Sequence, residues 1–292
     1  MKIRKSAGEH IFDTANVIFL ILFCVSVIIP VLHVVAASLS STNALIHAQV
    51  KLWPVDLNVD NYAAVMSNQS FWRSFGITVF VVVVGTIVNL ALTVLTAYPL
   101  SKRYLRGRQF VLILFVFTMI FYAPMIPTYL VVKELGLVNT VWAMIIPVAL
   151  SAFNMLICLT FFRGLPEELF EAARVDGMNE YRTVWAIAVP LSKPIMFTLM
   201  LFYAVGHWNN YSTALMYITK QNLKPLQLYL YGIIAKSDVN EMLSSVVEAT
   251  TDLSPQGLQM AVIIVATVPI ILIYPFIQKH FIKGALIGSI KE

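Results

Sequence analysis

Six long apolar stretches make up most of this chain and restrict the folds open to it. A membrane-spanning helix needs about 20 predominantly apolar residues. Hydrophobic residues make up 59% of the 292 residues and charged residues only 12%, about half the charged fraction usual in soluble domains. The sequence therefore predicts an all-α integral membrane protein with six transmembrane helices, at about residues 14–39, 75–99, 109–132, 139–162, 191–211 and 259–279.

The first stretch, about 14–39, follows a basic N-terminus like that of a secretory signal peptide. Signal peptides have a shorter apolar region, of about 7–15 residues, before their cleavage site. We therefore expect this stretch to be retained as the first transmembrane helix.

Basic residues are distributed unevenly between the two sides of the predicted membrane. The N-terminus, loop 100–108, loop 163–193 and the C-terminal tail carry fourteen of the 20 Lys and Arg residues, and the segments between them carry six. Short basic loops stay in the cytoplasm. We therefore expect both termini and loop 163–193 to be cytoplasmic, and segments 40–74 and 212–258 to be external.

Several classes of function are disfavoured by what the sequence lacks. The interiors of the predicted spans hold no Asp, Glu, Lys or Arg, whereas ion-coupled carriers usually bury such residues. The dipeptide Gly-Lys is absent, so there is no phosphate-binding loop of the Walker type. The five histidines are dispersed, which argues against a membrane-embedded enzyme or metal site, and no soluble basic domain is available to bind nucleic acid.

Loop 163–193 is the most polar segment between two spans, and its pattern predicts a short helix beside the membrane. Pro166 suits the first turn, and the acidic pair 167–168 places negative charge at the positive end of the helix. Phe170, Ala173 and Gly177 lie three and four residues apart and share one face. Gly177 is expected to end the helix in a left-handed conformation.

A second helix is predicted directly after this glycine. Asn179 is a suitable N-cap, and Pro190 and Pro194 are expected to close or bend the helix where the chain enters the fifth span.

The first helix of the loop is expected to expose an aromatic side chain and two alanines as a docking surface for a soluble protein. The alternative is an amphipathic helix lying on lipid, but such helices carry Lys and Arg on their polar face. This loop carries more acids than bases, which favours a protein partner. The acids are Glu167, Glu168, Glu171, Asp176 and Glu180, and the bases beside them are Arg174 and Arg182.

The loop resembles a known signature, E-A-A-x3-G-x9-I-x-L-P, of permease subunits of ATP-binding-cassette (ABC) importers. It departs from the pattern only at Val189, where leucine is usual. Three further segments agree with this family. The first looks like its "NY" element, and the second is similar to the tail of carbohydrate permeases of the maltose-importer type. The second and third together look closest to a branch that imports oligosaccharides or polysaccharide fragments. The matching residues are Glu171, Ala172, Ala173, Gly177, Ile187 and Pro190, and the segments are "NYAAVM" at 61–66, "FIKGALIGSIKE" at 281–292 and "LSPQGLQMA" at 253–261.

The resemblance implies a type I ABC importer permease fold in a single domain, 1–292, with a core at about 70–280. It implies a multi-pass subunit of the bacterial cytoplasmic membrane, surrounded by lipid, that forms half of a translocation pathway with a paralogous permease. Two ATPase subunits would bind ATP and Mg²⁺ and drive alternating access, and an extracytoplasmic solute-binding protein would deliver substrate. No cofactor and no enzymatic activity are expected of this chain itself.

The resemblance also implies site residues. Phe170, Glu171, Ala172, Ala173 and Gly177 would form the surface that couples to the ATPase, with Ile187 and Pro190 completing the motif. Arg174 and Asp176 would make local or partner salt bridges. The tail 283–292 would reach the ATPase interface, and loop 212–258 would meet the binding protein.

The substrate is expected to be a carbohydrate, with an oligosaccharide, neutral or acidic, as the favoured kind. Importers of phosphate, amino acids and polyamines share the loop signature, so a non-sugar solute is the alternative. Sugars are bound by aromatic stacking and polar groups, and such residues lie near the outer end of the fifth span, where they also suit an interfacial belt. These residues are Tyr203, His207, Trp208, Asn209 and Asn210.

Overall fold

The computed structural model describes residues 7–244 and 254–289, and within those ranges every regular element is a helix, as predicted. The first α-helices are α1 (Ala7–Ser38), α2 (Thr42–Ile46), α3 (Asp60–Ser67), α4 (Gln69–Ser101), α5 (Arg108–Ile120), α6 (Met125–Glu134) and α7 (Ala152–Arg163). They are followed by α8 (Glu167–Val175), α9 (Glu180–Thr183), α10 (Val189–Leu191), α11 (Lys193–Asn209), α12 (Ser212–Tyr217), α13 (Leu226–Ser244) and α14 (Pro255–Ser289). Short 3₁₀ turns occur at Val141–Met144, Ile146–Val148 and Gln221–Leu223, and a π-helical turn at Val184–Ala188.

Three described helices are long and apolar enough to cross a bilayer, namely α1, α4 and the segment Pro255–Leu272 of α14. Three further candidates are bent pairs, with angles of 117° between α5 and α6, 53° between 141–148 and α7, and 88° between 180–191 and α11. The described residues therefore contain three candidate spans, or up to six if each bent pair is one span. The six-span arrangement remains a prediction.

Prolines mark some of these bends. Pro124 precedes α6 at the sharpest bend, and Pro190 and Pro194 lie on either side of the 88° bend. Proline has no N–H to donate and disfavours a helical conformation in the residue before it. However, Pro30 and Pro99 lie inside uninterrupted helices, so the prolines of this chain do not all interrupt a span.

Helix α1 exposes its apolar side chains on all sides. No residue in its most apolar window is buried within the chain. An apolar surface of that length in contact with water is unusual for a soluble protein, so α1 is suited to lipid or to another membrane helix.

One compact unit contains the described residues up to Gln69 together with those of Gly232–Val268. Its small core is formed where the end of α1 meets α2, and consists of Ala36, Ala37, Ala44, Leu45 and Val50. Three of the five are alanines, which let these backbones approach closely.

The second unit contains Ser70–Tyr231 and the described residues after Pro269. In it α7 packs against α5 and α11. Its main core joins the second half of α4 to α7, α8, the π-helical turn and α11, and includes Val94, Tyr98, Met155, Cys158, Leu159, Phe162, Phe170, Val184 and Leu199. The polar helix α8 is therefore packed onto the core of the apolar helices.

Candidate functional site

Helix α8 begins after Pro166 and has acids in its first turn, as the sequence predicts. The helix is nine residues long, so it is short, as expected. It is too short to cross a bilayer, which takes about 20 residues.

The end of α8 also has the predicted form. Gly177 has φ 74°, in the left-handed region. Its N–H donates to the carbonyl of Arg174 at 3.0 Å, and the N–H of Met178 donates to the carbonyl of Ala173 at 2.9 Å. This pair of bonds is the Schellman motif, which satisfies carbonyls left free at a helix end.

Asn179 caps α9, which confirms the second local prediction, because its Oδ1 accepts a hydrogen bond from the N–H of Arg182 at 2.8 Å. The chain then passes through the π-helical turn and α10, and bends by 88° into α11. Ile187 of the signature packs against the main core, and Pro190 lies on the surface of α10.

The face shared by Phe170 and Ala173 points into the protein. Each residue is only 2% exposed, and the Phe170 ring lies 6.0 Å from the ring of Tyr98, centroid to centroid. The shared face was predicted correctly, but the expectation that it is exposed for docking is wrong. A large aromatic ring gains more from burial in its own chain than from standing in solvent until a partner binds.

Lys102, just after α4, also contacts the Phe170 ring. Its Nζ lies 3.3 Å from the centroid of the Phe170 ring, within the range of a cation–π interaction. The same Nζ is 3.7 Å from Oε1 of Glu167. Burial lowers the pKa of Lys102, and the nearby Glu167 carboxylate opposes that effect.

Glu180 connects three segments of the site. Its Oε2 accepts a hydrogen bond from the Tyr98 hydroxyl at 2.9 Å, and its Oε1 accepts from the Tyr104 hydroxyl at 3.0 Å and from Nε of Arg174 at 3.4 Å. Burial, together with the hydrogen bond to Glu180, raises the pKa of Tyr104. The salt bridge predicted for Arg174 is therefore local, to Glu180.

The outward side of α8 is formed by other residues of the helix. Leu169 is 42% exposed and Val175 is 88% exposed, and Ala172 between them is also exposed. These three positions are spaced three apart and form one stripe. The stripe is bordered by exposed acids and ended by an exposed glycine, at Glu168, Glu171, Asp176 and Gly177.

Sequence reasoning did not identify Tyr98, Lys102, Tyr104 and Glu180 as parts of this site. In the sequence Lys102 is marked only as one of the basic residues of loop 100–108, and Glu180 only as an acid of the polar loop. One signal was available in the sequence. Tyr98, Lys102 and Tyr104 lie at or just after the end of the apolar helix α4, and polar groups that are buried there need hydrogen-bond partners.

The five residues proposed for the substrate pathway do not form one cluster. Tyr203 is buried, and its hydroxyl pairs with Oγ1 of Thr93 on α4 at 2.7 Å. Oδ1 of Asn210 accepts a hydrogen bond at 3.1 Å from the N–H of Thr213, in the first turn of α12, whereas Asn209 is exposed.

His207 and Trp208 are each 7% exposed. Nε2 of His207 and Nε1 of Trp208 have no hydrogen-bond partner among the described residues. The His207 ring lies against Gly85 of α4, where an added Cβ would come within 2.5 Å of Nε2. Glycine at position 85 thus makes room for the imidazole.

Segments 61–66 and 253–261, two of those that carried the resemblance, contact each other in the first compact unit. Asn61, of the segment at 61–66, is 2% exposed. A Cβ added to Gly257, of the segment at 253–261, would lie 2.7 Å from Nδ2 of Asn61. In the same unit, the N–H of Ser254 donates to Oγ1 of Thr42 at 3.1 Å. These motif residues therefore have a packing role, while the tail motif at 281–292 lies where side chains are not described.

Within the described residues no cluster of three or more His, Cys, Asp and Glu side chains is placed to hold a metal ion. The site is thus a polar helix fixed to the end of apolar helices.

Residues 93–286 match the family described as the binding-protein-dependent transport system inner membrane component. The chain belongs to this family of permeases. It is a transport subunit, as predicted, and not an enzyme.

Two relatives from Bacillus subtilis (strain 168) match this permease over nearly its whole length. Protein LplC is 44% identical, covering 98% of this chain and 97% of the relative. The polygalacturonan/rhamnogalacturonan transport system permease protein YtcP is 42% identical, covering 97% and 99%. A chain of a bacterial ABC transporter that imports the acidic polysaccharide alginate has a TM-score of 0.87 and 32% identity, covering 96% of this permease and 100% of that chain. The predicted resemblance to carbohydrate ABC permeases is confirmed.

Proposed function

We propose that this permease is one domain, 1–292, that crosses a bacterial cytoplasmic membrane six times with both termini in the cytoplasm. Each bent helix pair would serve as one span, which the count of up to six spans supports. Basic residues on the segments assigned to the cytoplasm support the orientation. The exposed apolar surface of α1 would face lipid or a neighbouring membrane subunit.

We further propose that it works with a paralogous permease, two ATPase subunits and a solute-binding protein. ATP and Mg²⁺ would bind only to the ATPases, which would drive alternating access. Membership of a binding-protein-dependent transport family supports this assembly. The tail 283–292 and loop 212–258, proposed to meet the ATPase and the binding protein, extend partly outside the described residues.

Helix α8 is the proposed contact with the ATPase, and the observation that supports this best is the division of its two faces. Phe170 and Ala173 fasten the helix to this chain, which leaves Leu169, Ala172 and Val175 exposed to a partner. Glu171, Asp176 and Gly177 would border the contact. Because buried contacts fix α8 to the core, a displacement of α8 by a partner bound to its outer stripe would be transmitted to α4 and α11.

Replacing Ala172 by arginine is expected to lower substrate-stimulated ATP hydrolysis by about tenfold, because a bulky cation at a tightly packed protein contact costs about 1–2 kcal/mol or more. Ala172 is exposed, so the variant should fold and reach the membrane in normal amounts. The rate is measured in proteoliposomes that contain the complete transporter with its binding protein. Full stimulation in this variant would contradict the assignment.

Cross-linking of neighbouring positions gives the matched control. In a background without Cys24 and Cys158, the two cysteines of the chain, Ala172→Cys should cross-link to the ATPase. Ala173→Cys should not, because residue 173 is buried against this chain. Equal capture at both positions would show that α8 does not dock by the proposed face.

We propose an acidic oligosaccharide as the substrate. Its support is that one relative's name refers to polygalacturonan and rhamnogalacturonan, and that the similar solved transporter imports alginate. Tyr203, His207, Trp208, Asn209 and Asn210 are the proposed pathway residues. The buried, unpaired ring nitrogens of His207 and Trp208 support a further hydrogen-bond partner for that region.

Uronate oligosaccharides are expected to stimulate ATP hydrolysis by the complete transporter about tenfold more than neutral ones, because hydrogen bonds to an ionised carboxylate are stronger than those to neutral groups. Galacturonate and mannuronate oligomers are compared with malto- and xylo-oligomers of the same length. Stronger stimulation by a neutral oligomer would reject the acidic substrate and leave the coupling role of α8 unaffected.

A further inference from the structure

A cavity of about 310 Å³ in the second unit is lined by an excess of positive charge. It lies where α4 and α7 end and where α5 and α8 begin. Lys102, Arg103, Arg108 and Arg163 line it, together with a single carboxylate, that of Glu167. Four cations facing one anion leave a formal excess of three positive charges around a small space.

The described residues do not neutralise this charge. Nη1 of Arg108 is buried and has no hydrogen-bond partner among them. The Lys102–Glu167 pair is long, at 3.7 Å, and the Glu167 side chain is 59% exposed. A buried guanidinium nitrogen without a partner is costly, so a site of this kind calls for an anion with several acceptor oxygens.

We infer that this cavity binds a phosphate group, supplied by the headgroup of an anionic phospholipid. Guanidinium groups pair with phosphate through two parallel hydrogen bonds, and a phosphate has oxygens enough for more than one arginine. The cavity volume is about that of the smallest ligand pockets, roughly 300 Å³. Basic pockets at the ends of transmembrane helices suit anionic headgroups in particular.

The position of the cavity favours lipid as the source of the phosphate. Ser101, the last residue of the apolar helix α4, and Arg163, at the end of α7, both line it. Side chains at such positions lie at the level of lipid headgroups. Free inorganic phosphate has the same recognition chemistry and is distinguished by the experiment.

Binding there would act on α8 through Lys102. This residue lines the cavity and also contacts the Phe170 ring. An anion in the cavity would compete with Glu167 for the Lys102 ammonium and draw it away from the start of α8. The inference rests on the membrane arrangement proposed above, but not on the proposed ATPase contact or substrate, and lipid binding is measured separately from both.

The test uses the full-length chain, purified in an uncharged detergent and freed of lipid. Dioctanoyl phosphatidylglycerol is expected to bind about tenfold more tightly than dioctanoyl phosphatidylcholine, because hydrogen bonds to charged groups each contribute about 1.5–3 kcal/mol. Arg108→Gln should weaken the first lipid about tenfold. The exposed Arg106, outside the cavity, provides the control Arg106→Gln, which should bind as the wild type does. Affinities are measured by microscale thermophoresis.

Competition with inorganic phosphate identifies the source. Failure of millimolar phosphate to displace phosphatidylglycerol supports the lipid headgroup, and displacement supports a site for free phosphate. Equal affinity for the two lipids would overturn the inference, as would an equal loss in Arg106→Gln and Arg108→Gln. If Arg108→Gln aggregates on gel filtration, Arg163→Gln replaces it, and unchanged binding in that variant rejects the site.

Discussion

Replacing Phe170 by alanine is expected to destabilise the packing of α8 by about 3–5 kcal/mol, the usual cost of removing a buried aromatic ring. The Phe170 side chain is 2% exposed and belongs to the main core. Its removal would also leave Lys102 without the ring that it contacts at 3.3 Å. The buried ammonium of Lys102 would thereby lose part of its stabilisation, which adds to the loss of stability.

The loss is measured by hydrogen exchange of the α8 amides and by the midpoint of thermal unfolding. Exchange should become much faster in residues 170–178, because local opening is governed by local packing. Leu169→Ala is the matched control, since Leu169 lies on the same helix but is 42% exposed. It should change stability by about 1 kcal/mol or less. A similar loss in both variants would show that Phe170 is not the anchor.

The same substitution separates anchoring from docking. In Phe170→Ala the outer stripe of α8 is chemically unchanged, so cross-linking from position 172 to an ATPase should persist. Without the Phe170 ring, a displacement of α8 would no longer be transmitted through that ring to α4 and α11. Substrate-stimulated ATP hydrolysis should therefore fall although the ATPase still binds.

Local structure in this region was predictable because its causes lie in adjacent residues. The end of α8 follows from Gly177, whose missing Cβ allows φ 74°. The start of α9 follows from Asn179, which reaches an N–H only three residues away. Apolar runs likewise predicted where most long helices lie, since spanning length is set by the bilayer.

The orientation of α8 was not predictable from the same sequence. The spacing of Phe170 and Ala173 places them on one face, but it does not say whether that face meets solvent or protein. The deciding contacts come from distant segments, as in the bond between Tyr98 and Glu180, which are 82 residues apart in the chain. The sequence does not show which segment of the chain covers the apolar face of α8, so it predicted that this face binds another protein.

The proposed substrate residues show the same limit. Aromatic and amide side chains at the outer end of a span are compatible with sugar binding, with an interfacial belt and with packing. The structure gives Tyr203 a hydroxyl partner on α4 and Asn210 a backbone partner in the first turn of α12. Neither pairing follows from composition, because each depends on which helix lies alongside.

Gly85→Ala is expected to destabilise the packing of α4 against α11 by about 2 kcal/mol, within the range for an overfilled core. The new Cβ would lie 2.5 Å from Nε2, 2.8 Å from Cε1 and 2.9 Å from Cδ2 of His207, whose side chain is buried. Gly76→Ala on the same helix is the control, because nothing lies within 4 Å of its added Cβ. That variant should be neutral or stabilise the helix by about 0.5–1 kcal/mol. The double variant Gly85→Ala/His207→Ala has no imidazole for the new Cβ to clash with. The effects of the two substitutions on the free energy of unfolding, followed by thermal unfolding, should therefore differ from additivity by about 1 kcal/mol or more. Additive effects would show that the two residues are not in contact.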